Sequence, residues 1–144
     1  MFFGLMLLTG TRVFRTRRII NNQVTPIKEV NSHIQNNLHL IVIVFDEYTC
    51  VKTIRNMRKI TDLIKKRNFP FIVVNAVEGL DPLTGFCPTC EFTSNYDIEI
   101  TPSVLYLKKG KKIAVLEQGS DLLSIKELHI FLEEIKAGTE HNVS

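Results

Sequence analysis

Apolar residues fall along this chain in two rhythms: short unbroken runs, and positions spaced three or four apart among charged neighbours. The run Leu40-Ile41-Val42-Ile43-Val44-Phe45 is β-branched and of strand length, which predicts a strand buried on both faces. Phe69-Pro70-Phe71-Ile72-Val73-Val74-Asn75 predicts a second. Between them, from Cys50 to Lys66, Ile54, Met57, Ile60, Leu63 and Ile64 share one side of a helix. Lys52, Arg55, Arg58, Lys59, Lys65 and Lys66 lie mostly on the other, where a solvated face is expected. Strand, helix and strand make a β-α-β unit, so the two strands are expected to be adjacent, parallel and central, with a right-handed crossover. Ile43 and Phe71 are its expected fully buried side chains.

Ahead of this unit, Thr25-Pro26 reads as helix N-cap and first helical residue, and Ile27, Val30, Ile34 and Leu38 recur at helical spacing to about Asn37. Behind it, Ala76 to Phe86 has no clean period and carries Gly79, Pro82 and Gly85, which predicts an irregular loop before a short helix from Glu91 to Tyr96. From Ile100 to Gly119 a proline opens an apolar run, a Lys-Gly turn reverses it, and a second apolar run ends at a glycine. That is a hairpin entered through an X-Pro bond. Proline is excluded from the interior of a central strand, so Pro102 marks the start of the first arm, and Thr101-Pro102 is a candidate cis bond. Ser124-Ile125-Lys126-Glu127 is a capping box opening a last helix, whose stripe of Ile125, Leu128, Phe131, Leu132 and Ile135 ends at Gly138.

This order of elements, with a proline at the mouth of the hairpin, resembles the thioredoxin family over about Thr25 to Gly138. The resemblance implies an α/β fold, a three-layer sandwich with a central mixed sheet flanked by helices. It also implies that Thr101 and Pro102 line the active site and bind substrate through their backbone. In the family a catalytic Cys-x-x-Cys sits where the first buried strand runs into the next helix, and this chain departs from that pattern. The junction reads Asp46-Glu47-Tyr48-Thr49-Cys50-Val51-Lys52-Thr53. Cys50 and Thr53 then form a Cys-x-x-Thr variant, in which the attacking cysteine is kept and the resolving one is replaced by a hydroxyl that cannot displace a bound substrate. In a second register Glu47-Tyr48 stands on the family's Glu-Trp, which places Thr49 at the attacking position and Cys50 beside it.

Composition changes this picture at the ends. The 144 residues are 44% hydrophobic and 23% charged, ordinary for one globular domain, and no apolar run reaches the length of a membrane span. The net charge of +3 is unevenly placed, because Arg12, Arg15, Arg17, Arg18 and Lys28 all precede the first acid, Glu29. Residues 1–24 therefore read as a basic arm or a targeting segment, 25–138 as the domain and 139–144 as a polar tail. An Arg-rich, acid-free arm fits a mitochondrial presequence better than a secretory signal, so the expected location is the cytoplasm or the mitochondrion. The folded part is close to neutral, and nothing in it asks for nucleic acid.

Three cysteines leave at least one thiol unpaired, which argues against a disulfide-stapled secreted scaffold. Phe86-Cys87-Pro88-Thr89-Cys90-Glu91 holds a true Cys-x-x-Cys, away from the place the resemblance assigns. Loops that follow parallel strands gather at the C-terminal edge of the sheet, so Cys87 and Cys90 are expected close to Cys50 and Pro102. Two thiols three apart can close a disulfide, either as a redox-active pair or as a clip on the loop. A zinc site completed by Cys50 and His33 or His39 is a further reading, weakened because such sites commonly draw on two cysteine pairs. The sequence assigns no metal and no cofactor. The expected function is thiol–disulfide exchange with protein thiols or disulfides, carried by Cys50, Thr53, Cys87 and Cys90 beside Thr101 and Pro102. The alternative is a binding or scaffold module that keeps the groove and has lost dithiol turnover.

Overall fold

The computed structural model describes residues 23–118 and 122–141. Residues 1–22 of the basic arm, residues 119–121 and the end of the tail lie outside the described residues. The sheet is organised on β1 (His39–Phe45), from Leu40 onward buried on both faces. It pairs in parallel with β2 (Phe71–Asn75) and antiparallel with β3 (Ser103–Lys108), and β3 pairs antiparallel with β4 (Lys111–Glu117). The strand order is β2-β1-β3-β4, a mixed sheet. The hairpin turns through Lys109 and Gly110 at φ of 52° and 75°, a left-handed pair that glycine accepts without strain.

Alternation along β1 builds two cores. Ile41, Ile43 and Phe45 face α2 (Val51–Arg55), α3 (Met57–Lys66) and α5 (Ile125–His141). Leu40, Val42 and Val44 face α1 (Ile27–Asn36) and α4 (Cys90–Asn95), packing with Val30, Ile34 and Phe92. Each such branched side chain removed from water contributes about 1.5–3 kcal/mol, which explains why the apolar run dictates a central strand. The result is the expected three-layer α/β sandwich.

Several details differ from the expectations. Among the described residues β2 borders the sheet rather than standing inside it, and the Thr25 N–H donates to Val73 O at 2.8 Å along its open side. Phe71 is consequently only half-buried, with the Lys65 ammonium 5.7 Å from its ring centre, whereas Ile43 is fully buried. The strand starts after Pro70, which has no N–H to give, although its carbonyl accepts from Ile41 N at 2.9 Å. Helix α1 starts at Ile27, and its first N–H is capped from outside by the Glu78 carboxylate at 2.8 Å. The long helix expected from Cys50 to Lys66 is broken at Asn56, whose side-chain amide donates to Lys52 O at 3.0 Å and competes with the helical ladder. Helix α5 takes its cap from the Ser124 hydroxyl, which accepts from Glu127 N at 3.3 Å, and runs through Gly138 to His141. No described helix is long and apolar enough to cross a membrane.

Candidate functional site

Four chain segments meet at one edge of the sheet, because β1 and β2 end there, β3 begins there and β4 ends there. They are the β1–α2 turn, the loop from Ala76 to Thr89, the approach to Pro102 and the segment after Glu117. The Thr101-Pro102 bond is cis, and Pro102 is buried with its carbonyl accepting from Gln118 N at 3.3 Å. Ser103 pairs with Val44 on one side and Glu117 on the other, so Pro102 falls opposite Phe45 at the mouth of the β1–α2 turn. The Ser103 hydroxyl, which the sequence reading passed over, is buried there with no hydrogen-bond partner. Its only sequence signal is a polar residue directly behind the proline at the start of an otherwise apolar strand.

Cys50 is the N-cap of α2, and its side chain is fully buried in the core with Ile54, Met57 and Phe45. The Asp46 N–H donates to its Sγ at 3.4 Å, and the Thr49 hydroxyl lies 3.8 Å away. In this conformation an external disulfide has no path to that sulfur. Thr53 is also fully buried, and its hydroxyl accepts from Leu123 N at 3.0 Å, tying α2 to the chain that enters α5. The Cys-x-x-Thr stretch is thus used in packing.

The loop after β2 is more ordered than its irregular sequence suggests. Asp81 and Phe86 form an antiparallel bridge, Gly85 N donates to Asp81 O at 2.8 Å, and Gly85 sits at φ 72°. The Thr84 hydroxyl at 2.8 Å and the Leu83 N–H at 3.0 Å both donate to the Asp81 carboxylate and hold its pKa below the ordinary 3.8. The Thr89 hydroxyl donates to Ala76 O, fastening the far end of the loop to the end of β2. Between these fixed points Cys87 and Cys90 are joined in a disulfide. Cys87 is half-buried and Cys90 is exposed, beside the exposed apolar side chains of Leu83 and Phe86.

The three cysteines do not form one cluster: Cys87 and Cys90 pair with each other, and Cys50 is a buried free thiol. Helix α4 packs on the α1 face of the sheet through Phe92, while Cys50 packs on the α3 and α5 face. A zinc site shared by the cysteines has no ligand cluster among the described residues. His39 is at the opposite edge in a 2.6 Å hydrogen bond with the Tyr106 hydroxyl, and no cluster of three His, Cys, Asp or Glu side chains forms among the described residues.

Mixed sheet, flanking helices and a cis-proline beside the first βα turn define a thioredoxin-like α/β domain, here with its disulfide in the following loop. The solved structures it resembles agree. A Plasmodium falciparum thioredoxin superposes with a TM-score of 0.55 at 23% identity, over 74% of this chain and 91% of that one. The oxidised thioredoxin from Plasmodium falciparum in solution gives 0.58 at 20% identity, over 78% and 96%. Mitochondrial thioredoxin 3 from Saccharomyces cerevisiae, in its oxidised form, gives 0.56 at 12% identity, over 81% and 98%. No family model and no curated protein matches the sequence. At these identities the likeness is one of fold.

Proposed function

We propose that this protein exchanges disulfides with protein thiols through Cys87 and Cys90. The observation that carries this reading is the position of the bond: an exposed Cys90 on an ordered loop, at the edge where the cis-proline also lies. A client thiolate attacks Cys90 Sγ, forming a mixed disulfide and releasing Cys87 as a thiolate. A second client thiol, deprotonated, attacks the client sulfur of that bond, and Cys90 leaves as a thiolate. The client has then lost two electrons to the Cys87–Cys90 pair, and the reverse sequence reduces a client disulfide. Thr101 and Pro102 border the edge that a bound client segment would use. The burial of Cys50 and Thr53 favours a second reading, a binding module in which the disulfide only shapes the loop.

A trapping experiment separates the two. Reduced Cys87→Ser protein, offered insulin or another disulfide substrate, is expected to accumulate a mixed disulfide on Cys90, while Cys50→Ala retains the exchange of the parent. Exchange that survives loss of both Cys87 and Cys90 would move the chemistry to Cys50. No adduct and no exchange in any variant would leave the binding module.

A further inference from the structure

A cleft of about 130 Å³ opens between α1 and α4, and its lining takes in Pro88 and Glu91, the sequence neighbours of the disulfide cysteines. Its apolar walls include Val30, Pro88 and Phe92, and its polar groups are Asn31, Glu91 and Asn95. Pro88 stands between the two cysteines, and Glu91 follows Cys90 immediately. Among the described residues the side chains of Glu91, Asn31 and Asn95 have no hydrogen-bond or ion-pair partner, and Lys28 on α1 does not pair with Glu91. The α4 side of the cleft is acidic in sequence, while the basic groups at its border are Lys28 on α1 and Lys112, whose ammonium donates to Tyr96 O at 2.7 Å. From Asn68 to Leu107 there is no lysine or arginine, while Glu78, Asp81, Glu91, Asp97 and Glu99 all fall in that stretch. The half-buried Ile27 and Pro88 for an alkyl stem, a carboxylate for a cationic head and two amides beside it match a lysine or arginine side chain.

We infer that this cleft is a subsite for a cationic side chain of the client, placed two or three residues from the client cysteine that attacks Cys90. The inference rests on the exchange reading for its use, although binding to the cleft can be measured without exchange. The substrate class it defines is a thiol protein whose reactive cysteine has a basic neighbour. Clients with acidic neighbours meet the same carboxylates as repulsion, which is how specificity is built without a larger interface.

The test uses short peptides with one cysteine and, two residues on, arginine, norleucine or glutamate. Loss of the Cys87–Cys90 disulfide is followed at low salt, each rate divided by that peptide's rate against a small neutral disulfide to remove differences in thiol pKa. The arginine peptide is expected to react about threefold to fivefold faster than the glutamate peptide, the upper part of the range for one exposed charge pair. Glu91→Gln should bring that ratio below about twofold. In parallel, an arginine peptide with serine in place of cysteine should shift the Asn31 and Asn95 side-chain amide signals. Equal rates for all peptides, or a ratio unchanged by Glu91→Gln, would overturn the subsite and leave exchange standing. Amide shifts without any disulfide loss would keep the subsite and overturn exchange, and absence of both would overturn both.

Discussion

The two turns that leave the parallel strands begin alike and end in opposite ways. Each runs from a strand's C-terminal end to a cysteine at the start of a helix, Cys50 before α2 and Cys90 opening α4. Cys50 turns inward because it falls on the apolar stripe of its helices, in step with the buried Ile54, Met57, Ile60 and Ile64. On α4 the inward positions are Thr89 and Phe92, so Cys90 lies beside the stripe and faces out. Exposure of the cysteine is thus decided by helical phase more than by its place after a strand. A cysteine one residue off the stripe is exposed, and a cysteine on it is core.

The most severe way to test this contrast is to truncate beneath each turn. Ile43 is fully buried in the same cluster as Cys50, and Ile43→Ala should cost about 2–5 kcal/mol in denaturant unfolding, through lost transfer energy and a residual cavity. Phe86 is 65% exposed, and Phe86→Ala should stay within about 0.5 kcal/mol. Similar costs at both positions would erase the distinction between a core turn and a surface loop.

Thr53 offers a narrower test. Thr53→Val keeps the shape and removes the acceptor of Leu123 N, leaving a buried donor unpaired at a cost of about 1–3 kcal/mol. Its rate of exchange per folded molecule should be unchanged. A fall in rate with stability intact would return Thr53 to the chemistry.

Much of this arrangement could be read from the chain, and the parts that could not have a common cause. Unbroken β-branched runs located β1 and the body of β2, and Pro102 with the Lys-Gly turn located the hairpin, because strand burial and turn geometry are local demands on residue type. The cap on Ile27 comes from Glu78, and the tie on Thr53 comes from Leu123, 51 and 70 residues away, and no local pattern announces either. Placing Cys50 in the site followed its position relative to the strand. The helical period through Ile54 and Met57, present in the same sequence, was the better guide to its direction.

Reduction of the disulfide should separate the two turns again, with a smaller effect. The bond closes a loop between residues three apart, for which chain entropy gives about 2 kcal/mol or less. Asp81, Gly85 and Thr89 keep their own hydrogen bonds, so the loss should be local. Amide exchange is expected to rise across residues 80–96 on reduction and to stay unchanged around Cys50 and Ile54. Uniform loss of protection through both cores would mean that the disulfide staples the whole domain.

The smallest expected effect is a proton. Asp81 accepts from Thr84 and Leu83 only in the folded loop, so its folded pKa lies below the unfolded 3.8 and the open loop binds a proton more readily. Its contribution is therefore fully present above pH 3.8 and is lost as pH falls through the lower, folded value. The carboxylate accepts only from Leu83 and Thr84 of its own surface loop, so the change should be confined to the loop. Below pH 3.8 the Leu83 amide signal should move as its acceptor is protonated, whereas Leu123, whose N–H is held by the non-titrating Thr53 hydroxyl, should not move with it. Asp81→Asn keeps an acceptor oxygen and should abolish the movement at Leu83. If Leu83 and Leu123 shift together, acid is loosening the domain rather than the loop, and the exposed turn is not the independent unit that its hydrogen bonds describe.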